Sequence, residues 1–136
     1  MTKEFWLNLP VKDIKKSRAF FEEAGFKFNP QYAGENSDCL MIGSKGVIVM
    51  LFEEPQFKGF TGAEVTDTGR STEMLLSFDA ESPGEVDEWA KKAEAAGGTV
   101  FGKPSSIQGW MYGCGFADID GHRWNVLYMD MAKMQG

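Results

Sequence analysis

A chain of 136 residues, 43% hydrophobic and 25% charged, has the composition of a soluble globular protein and the length of one domain with a substantial core. Its formal net charge of −6 argues against non-specific binding to nucleic acid or to an anionic membrane surface, and no apolar run is long enough to span a bilayer. The opening Met1-Thr2-Lys3-Glu4 lacks the layout of a signal peptide, and Cys39 and Cys114 form no C-x-x-C pair, so a cytoplasmic location with reduced thiols is expected.

Residues 4–12 alternate, with Phe5, Leu7, Leu9 and Val11 on one face and Trp6, Asn8 and Pro10 on the other, the period of a half-buried strand. Asp13 suits a helix N-cap, Ile14, Ser17, Phe21 and Ala24 follow at helical spacing, and Gly25 is a natural stop. Residues 26–31 and 38–42 read as short strands. Ser44-Lys45-Gly46 makes a turn, and the β-branched run 47–52 is a further strand. Residues 53–71 carry Pro, Gly, Thr and acidic side chains without a sustained apolar period. They read as a long connection, with Phe57 and Phe60 available as a lid or as an anchor to the core.

The second half repeats the first. Met74, Leu76, Phe78 and Ala80 alternate with Glu73, Leu75, Ser77 and Asp79. Ser82-Pro83-Gly84-Glu85 reads as a capping box, Val86, Trp89, Ala90 and Ala93 form an apolar stripe, and Gly97-Gly98 ends the helix. Strands at 99–101, 110–117 and 123–129 follow. A shift of about seventy positions sets the two first strands and the caps Asp13 and Ser82 on each other. A slightly larger one sets Gly46 on Gly121 and Cys39 on Cys114. Agreement at cap, core face and hairpin glycine makes duplication the better reading.

The chain closes on Phe116-Ala117-Asp118-Ile119-Asp120-Gly121-His122-Arg123-Trp124-Asn125, a tight turn between two apolar runs and therefore a β-hairpin. This hairpin resembles the last one of the vicinal-oxygen-chelate superfamily, which includes glyoxalases, bleomycin-resistance proteins and extradiol dioxygenases. Those chains run Phe-x-Asp-Pro-Asp-Gly-Asn/His-x-x-Glu, the Glu binding a metal. Here Ile119 stands for the proline and Asn125 for the glutamate. The subgroup of predicted lactoylglutathione lyases is the nearest, through Asn-Leu-Pro-Val-x-Asp at residues 8–13 and Phe-Ala-Asp-x-Asp-Gly-His-x-Trp at residues 116–124.

The resemblance implies an α+β fold of two βαβββ modules, an open eight-stranded cup with helices on the convex side. It implies a single domain over residues 3–130, with module one at 3–53, a connecting loop at 54–71 and module two at 72–130. It also implies that the four metal-ligand positions are Trp6, Met50, Leu75 and Asn125. None of these is a histidine or carboxylate, so no metal and no other cofactor is expected. The uniformly apolar face of each first strand belongs against the helices, which leaves Trp6, Asn8, Met50, Leu75, Ser77 and Asn125 to line the cup.

These readings predict binding of a small organic molecule, apolar or aromatic, without the usual metal. The alternative is a metal-dependent lyase or dioxygenase with ligands at atypical positions, or a metal-free enzyme with Glu73 or Asp79 as base. His122 reads as a turn residue and Cys114 as a structural thiol. Exposed edges and apolar rims predict a homodimer, with no nucleic-acid or membrane partner.

Overall fold

The computed structural model describes residues 1–134. The chain divides into two compact units, Met1–Asp67 and Thr68–Gly136.

In the first unit, strand β1 (Leu7–Val11) leads into helix α1 (Ile14–Ala24). Asp13 caps α1 by accepting from the backbone N–H groups of Lys15 and Lys16, and Gly25 closes it in the left-handed region at φ 106°. Strand β2 (Lys27–Phe28) is shorter than the expected 26–31, because Asn29 accepts from the N–H of Gln31 and caps a 3-10 turn at Pro30–Tyr32. Strands β3 (Ser37–Ile42) and β4 (Val47–Glu53) complete an open sheet ordered β1-β4-β3-β2, with β1 parallel to β4. Leu9, Val11, Leu40, Val49 and Leu51 are buried together with Ile14, Phe20 and Phe21 of α1. Each such side chain contributes roughly 1.5–3 kcal/mol. Asp38 is buried with them and is held by Arg18 of α1.

Two expectations fail here. Phe5 is not part of the core: it precedes β1 and is 81% exposed. The segment 53–71 is not a plain connection, because Glu54–Thr61 forms helix α2. Pro55 is tolerated in its first turn and Gly62 caps its C-terminus. The ring of Phe60 meets Phe52 of β4 edge-on at 5.0 Å, so a contact distant from the helix's own sequence pattern fixes it.

The second unit repeats the order: β5 (Leu75–Asp79), α3 (Pro83–Ala95), β6 (Thr99–Ile107), β7 (Met111–Ala117) and β8 (Arg123–Met129), then a short C-terminal helix, α4 (Met131–Met134). The sheet order β5-β8-β7-β6 mirrors the first unit, with β5 parallel to β8. Ser82 caps α3 by accepting from the N–H of Glu85, whose carboxylate accepts from the N–H of Glu81. Strand β6 runs six residues past the expected 99–101. Gly102 and Pro104 look like breakers, but β6 is an outer strand whose register shifts twice around Gly102.

The core of this unit is aromatic. Phe116 and Trp124 stack with planes 4° apart, and Phe78 meets both Trp89 and Trp124 edge-on. Two α+β units of open, mixed four-stranded sheets are thus built by one repeated βαβββ pattern.

The strand pairing corrects one detail of the repeat. Val49 pairs with Leu40 and Trp124 with Phe116, so the β3/β4 and β7/β8 ladders differ by one residue in offset. The pairing equivalent of Cys114 is Asp38, and that of Cys39 is Gly115. The two cysteines are not matched positions.

Candidate ligand-binding site

The hairpin that carries the sequence motif is organised by one carboxylate. Asp118 Oδ1 accepts from the backbone N–H groups of Asp120 at 2.9 Å and His122 at 3.0 Å, while Oδ2 accepts from Trp124 Nε1 at 3.0 Å. Burial pushes the Asp118 carboxyl above its ordinary pKa, against the N–H donors and the neighbouring His122, which favour the charged form. Gly121 turns at φ 87°, and a Cβ there would come within 2.5 Å of Thr68 Oγ1, whose hydroxyl donates to the Asp120 carbonyl. His122 closes the turn through its backbone: its carbonyl accepts from the N–H of Asp118 at 2.9 Å. The motif residues at 116–124 thus build the turn that starts β8.

Strand β8 then alternates. Trp124 and Val126 are buried against α3, and Arg123, Asn125 and Leu127 point to the opposite face. Their partners on β5 are Leu75, Ser77 and Asp79, and Gly115 and Gly113 of β7 stand opposite Asn125 and Leu127. Neither glycine has room for a side chain. A Cβ at Gly115 would lie 2.6 Å from the Phe101 ring, and one at Gly113 would lie 2.8 Å from the Val126 carbonyl oxygen and 2.6 Å from Leu127. Phe101 therefore packs against the backbone of Gly115, and the Arg123 guanidinium sits 4.4 Å above its ring.

Beside these glycines is an open cavity of about 210 Å³, walled by Phe101, Lys103, Ser105, Ile107, Asn125 and Leu127. It is below the usual ~300 Å³ of a drug-sized pocket. Its walls are mostly apolar and include no carboxylate. Asn125 Oδ1 is buried and has no hydrogen-bond partner. A buried acceptor without a donor costs about 1–3 kcal/mol, so its retention calls for an explanation.

The expected site residues fall into two sets, one in each unit. Asn8 pairs with Met50 across β1 and β4, and Ser77 pairs with Asn125 across β5 and β8. Leu75 is 52% exposed and neighbours Arg123, Asp79 ends β5, and Glu73 is exposed ahead of that strand. Trp6 precedes β1 and is 51% exposed. Sequence reasoning overlooked Lys103 because it ended β6 at residue 101, and it gave Phe101, inside that strand, no role. The signal that could have revealed them was Gly113 and Gly115, which mark a close approach on the neighbouring strand.

Cys114 donates its S–H toward the Val86 carbonyl of α3 at 3.7 Å, and burial raises its pKa. It is a packed thiol rather than an activated nucleophile. The four positions that the resemblance assigns to metal ligands carry few donors. Trp6, Met50 and Leu75 offer no ligand atom suited to Zn, Fe or Mn, and Asn125 offers one neutral amide. The described residues contain no cluster of three or more His, Cys, Asp or Glu side chains placed to hold an ion.

The family model described as bleomycin resistance protein-like N-terminal matches residues 4–41. A hypothetical protein from S. aureus is 32% identical in sequence, with a TM-score of 0.83 and 94% of each chain covered. A glyoxalase-related enzyme from Fulvimarina pelagi is 20% identical at TM-score 0.80, covering 94% of this chain and 88% of that one. The fosfomycin resistance protein of Listeria monocytogenes, solved with Mn(II) and sulfate, is 19% identical at TM-score 0.70, covering 100% and 99%. No curated protein matches the sequence. Residues 4–41 thus match a bleomycin resistance protein-like model, and the chain as a whole shares its fold with a 32% identical hypothetical protein and with glyoxalase-related structures.

Proposed function

We propose that the protein binds a small organic molecule on the open face of its second sheet, without a metal ion. The observation that carries this reading is Asn125 Oδ1, a buried acceptor with no partner beside a cavity with apolar side-chain walls. A bound donor satisfies that atom, and the apolar walls contribute the rest of the affinity. The bleomycin resistance protein-like match over residues 4–41 supports sequestration as the simplest form of this function.

The finer likeness to predicted lactoylglutathione lyases rests on residues 8–13 and 116–124. Within those stretches Asp13 caps α1 and Asp118 ties the β8 hairpin, so the motif accounts for fold rather than for a donor set.

The test pairs two titrations of the chelator-treated protein. Calorimetry with Mn(II) and Zn(II) is expected to show no stoichiometric site. Ligand-observed NMR with a set of small aromatic fragments is expected to show binding that Asn125→Leu weakens. One tightly bound ion per chain contradicts the reading, as does fragment binding that ignores the substitution.

A further inference from the structure

We infer that the ligand is a compact anionic molecule with an apolar body and an N–H or O–H donor. The inference rests on the proposed binding face and adds the chemistry that this face selects. Three features on different strands combine. Asn125 Oδ1 of β8 is an acceptor in search of a donor, and a ligand that lacks one leaves it unsatisfied. Phe101 of β6 closes over Gly115, and Leu127 and Ile107 close over Gly113, so the cavity beside Asn125 has apolar side-chain walls.

The third feature is charge. The chain carries a net −6, yet the cavity wall holds Lys103 and no carboxylate. Arg123 stands behind the same Phe101 ring. Neither cation forms an ion pair with a carboxylate among the described residues. Asp79 of β5, which pairs with Leu127, lies outside the cavity wall, so an anionic group is favoured on the β6 side, next to Lys103. Ser105 offers a hydroxyl on the same wall. The volume of about 210 Å³ restricts the body to about one fused ring pair.

Three probes separate the features: indole-2-carboxylate, benzothiophene-2-carboxylate, which lacks the ring N–H, and indole, which lacks the anion. Each is titrated into the full chain labelled with nitrogen-15, following the backbone amides of Gly113 and Gly115 and the side-chain amide of Asn125. Indole-2-carboxylate is expected to bind about three- to tenfold more tightly than benzothiophene-2-carboxylate. It is expected to exceed indole by about two- to fivefold, an advantage that shrinks at high salt. Asn125→Leu removes the first preference, and Lys103→Met, at an exposed position that leaves the fold untouched, removes the second. Equal affinity for all three probes, with shifts still centred on these residues, overturns the ligand class and leaves the binding face standing. Shifts confined to other residues overturn both.

Discussion

Trp124 is the side chain on which the second unit turns. It is 1% exposed, stacks on Phe116, meets Phe78 and donates Nε1–H to the buried Asp118. Trp124→Phe keeps the ring but strands that carboxylate oxygen, so chemical denaturation is expected to show a loss of about 1–3 kcal/mol. Trp124→Ala adds a cavity and is expected to cost about 3–5 kcal/mol. The helical period at 86–93 points to Trp89 as the core tryptophan. It is only half-buried, and Trp89→Ala is expected to cost less than Trp124→Ala. The sequence could not separate the two, because a strand's alternation shows which residues share a face but not which neighbour covers it. The thiols offer a second residue-scale test. Burial raises the pKa of both Cys39 and Cys114 above the ordinary thiol value, with Asp38 adding to the first. Native protein at pH 8 is therefore expected to react with iodoacetamide far more slowly than unfolded protein. As pH rises past the ordinary thiol range, the unfolded chain ionises first and folded stability falls. Fast alkylation of native Cys114 contradicts the packed-thiol assignment.

Among the elements, the close approach of β6, β7 and β8 decides whether the binding face exists. Gly113→Ala drives a methyl against the Val126 carbonyl, which belongs to backbone and cannot swing away, whereas Gly115→Ala meets a ring that can. The first is expected to destabilise by about 1–3 kcal/mol and the second by less, while displacing Phe101 and weakening fragment binding. Thermal melts alongside NMR titration check both. Helices α1 and α3 were legible from Asp13, Ser82 and their apolar stripes, because capping and periodicity are local chemistry. Strand β8 was legible from its hairpin glycine. Helix α2 was not, since Pro55 and Gly59 weaken its intrinsic preference and its anchor is Phe52, outside its own pattern. The far half of β6 was hidden by Pro104, which only its place as an outer strand makes tolerable. Of the candidate site, Asn125 was legible through the resemblance, and alternation placed Ser77 beside it on the same face. Phe101 and Lys103 depended on a bulged register that no period reveals.

For the whole molecule, the repeated sheet order supports descent from one duplicated unit. No helix among the described residues is long and apolar enough to cross a membrane. We propose that the chain pairs as a homodimer. Each sheet ends on two outer strands, and Phe5, Phe60 and Leu75 expose large apolar surfaces. Light scattering at micromolar concentration is expected to give twice the 15.1 kDa chain mass, and a monomer contradicts the proposal. The central claim is that the second sheet's open face takes an organic ligand and no metal. A crystal structure of the protein grown with indole-2-carboxylate and a slight excess of Mn(II) tests it most directly. The account predicts density for the ring in the cavity walled by Phe101, Lys103, Ile107 and Leu127, its N–H within hydrogen-bond distance of Asn125 Oδ1, and no anomalous peak from bound manganese. A manganese peak at Asn125, or a ring bound elsewhere with this face bare, would contradict it.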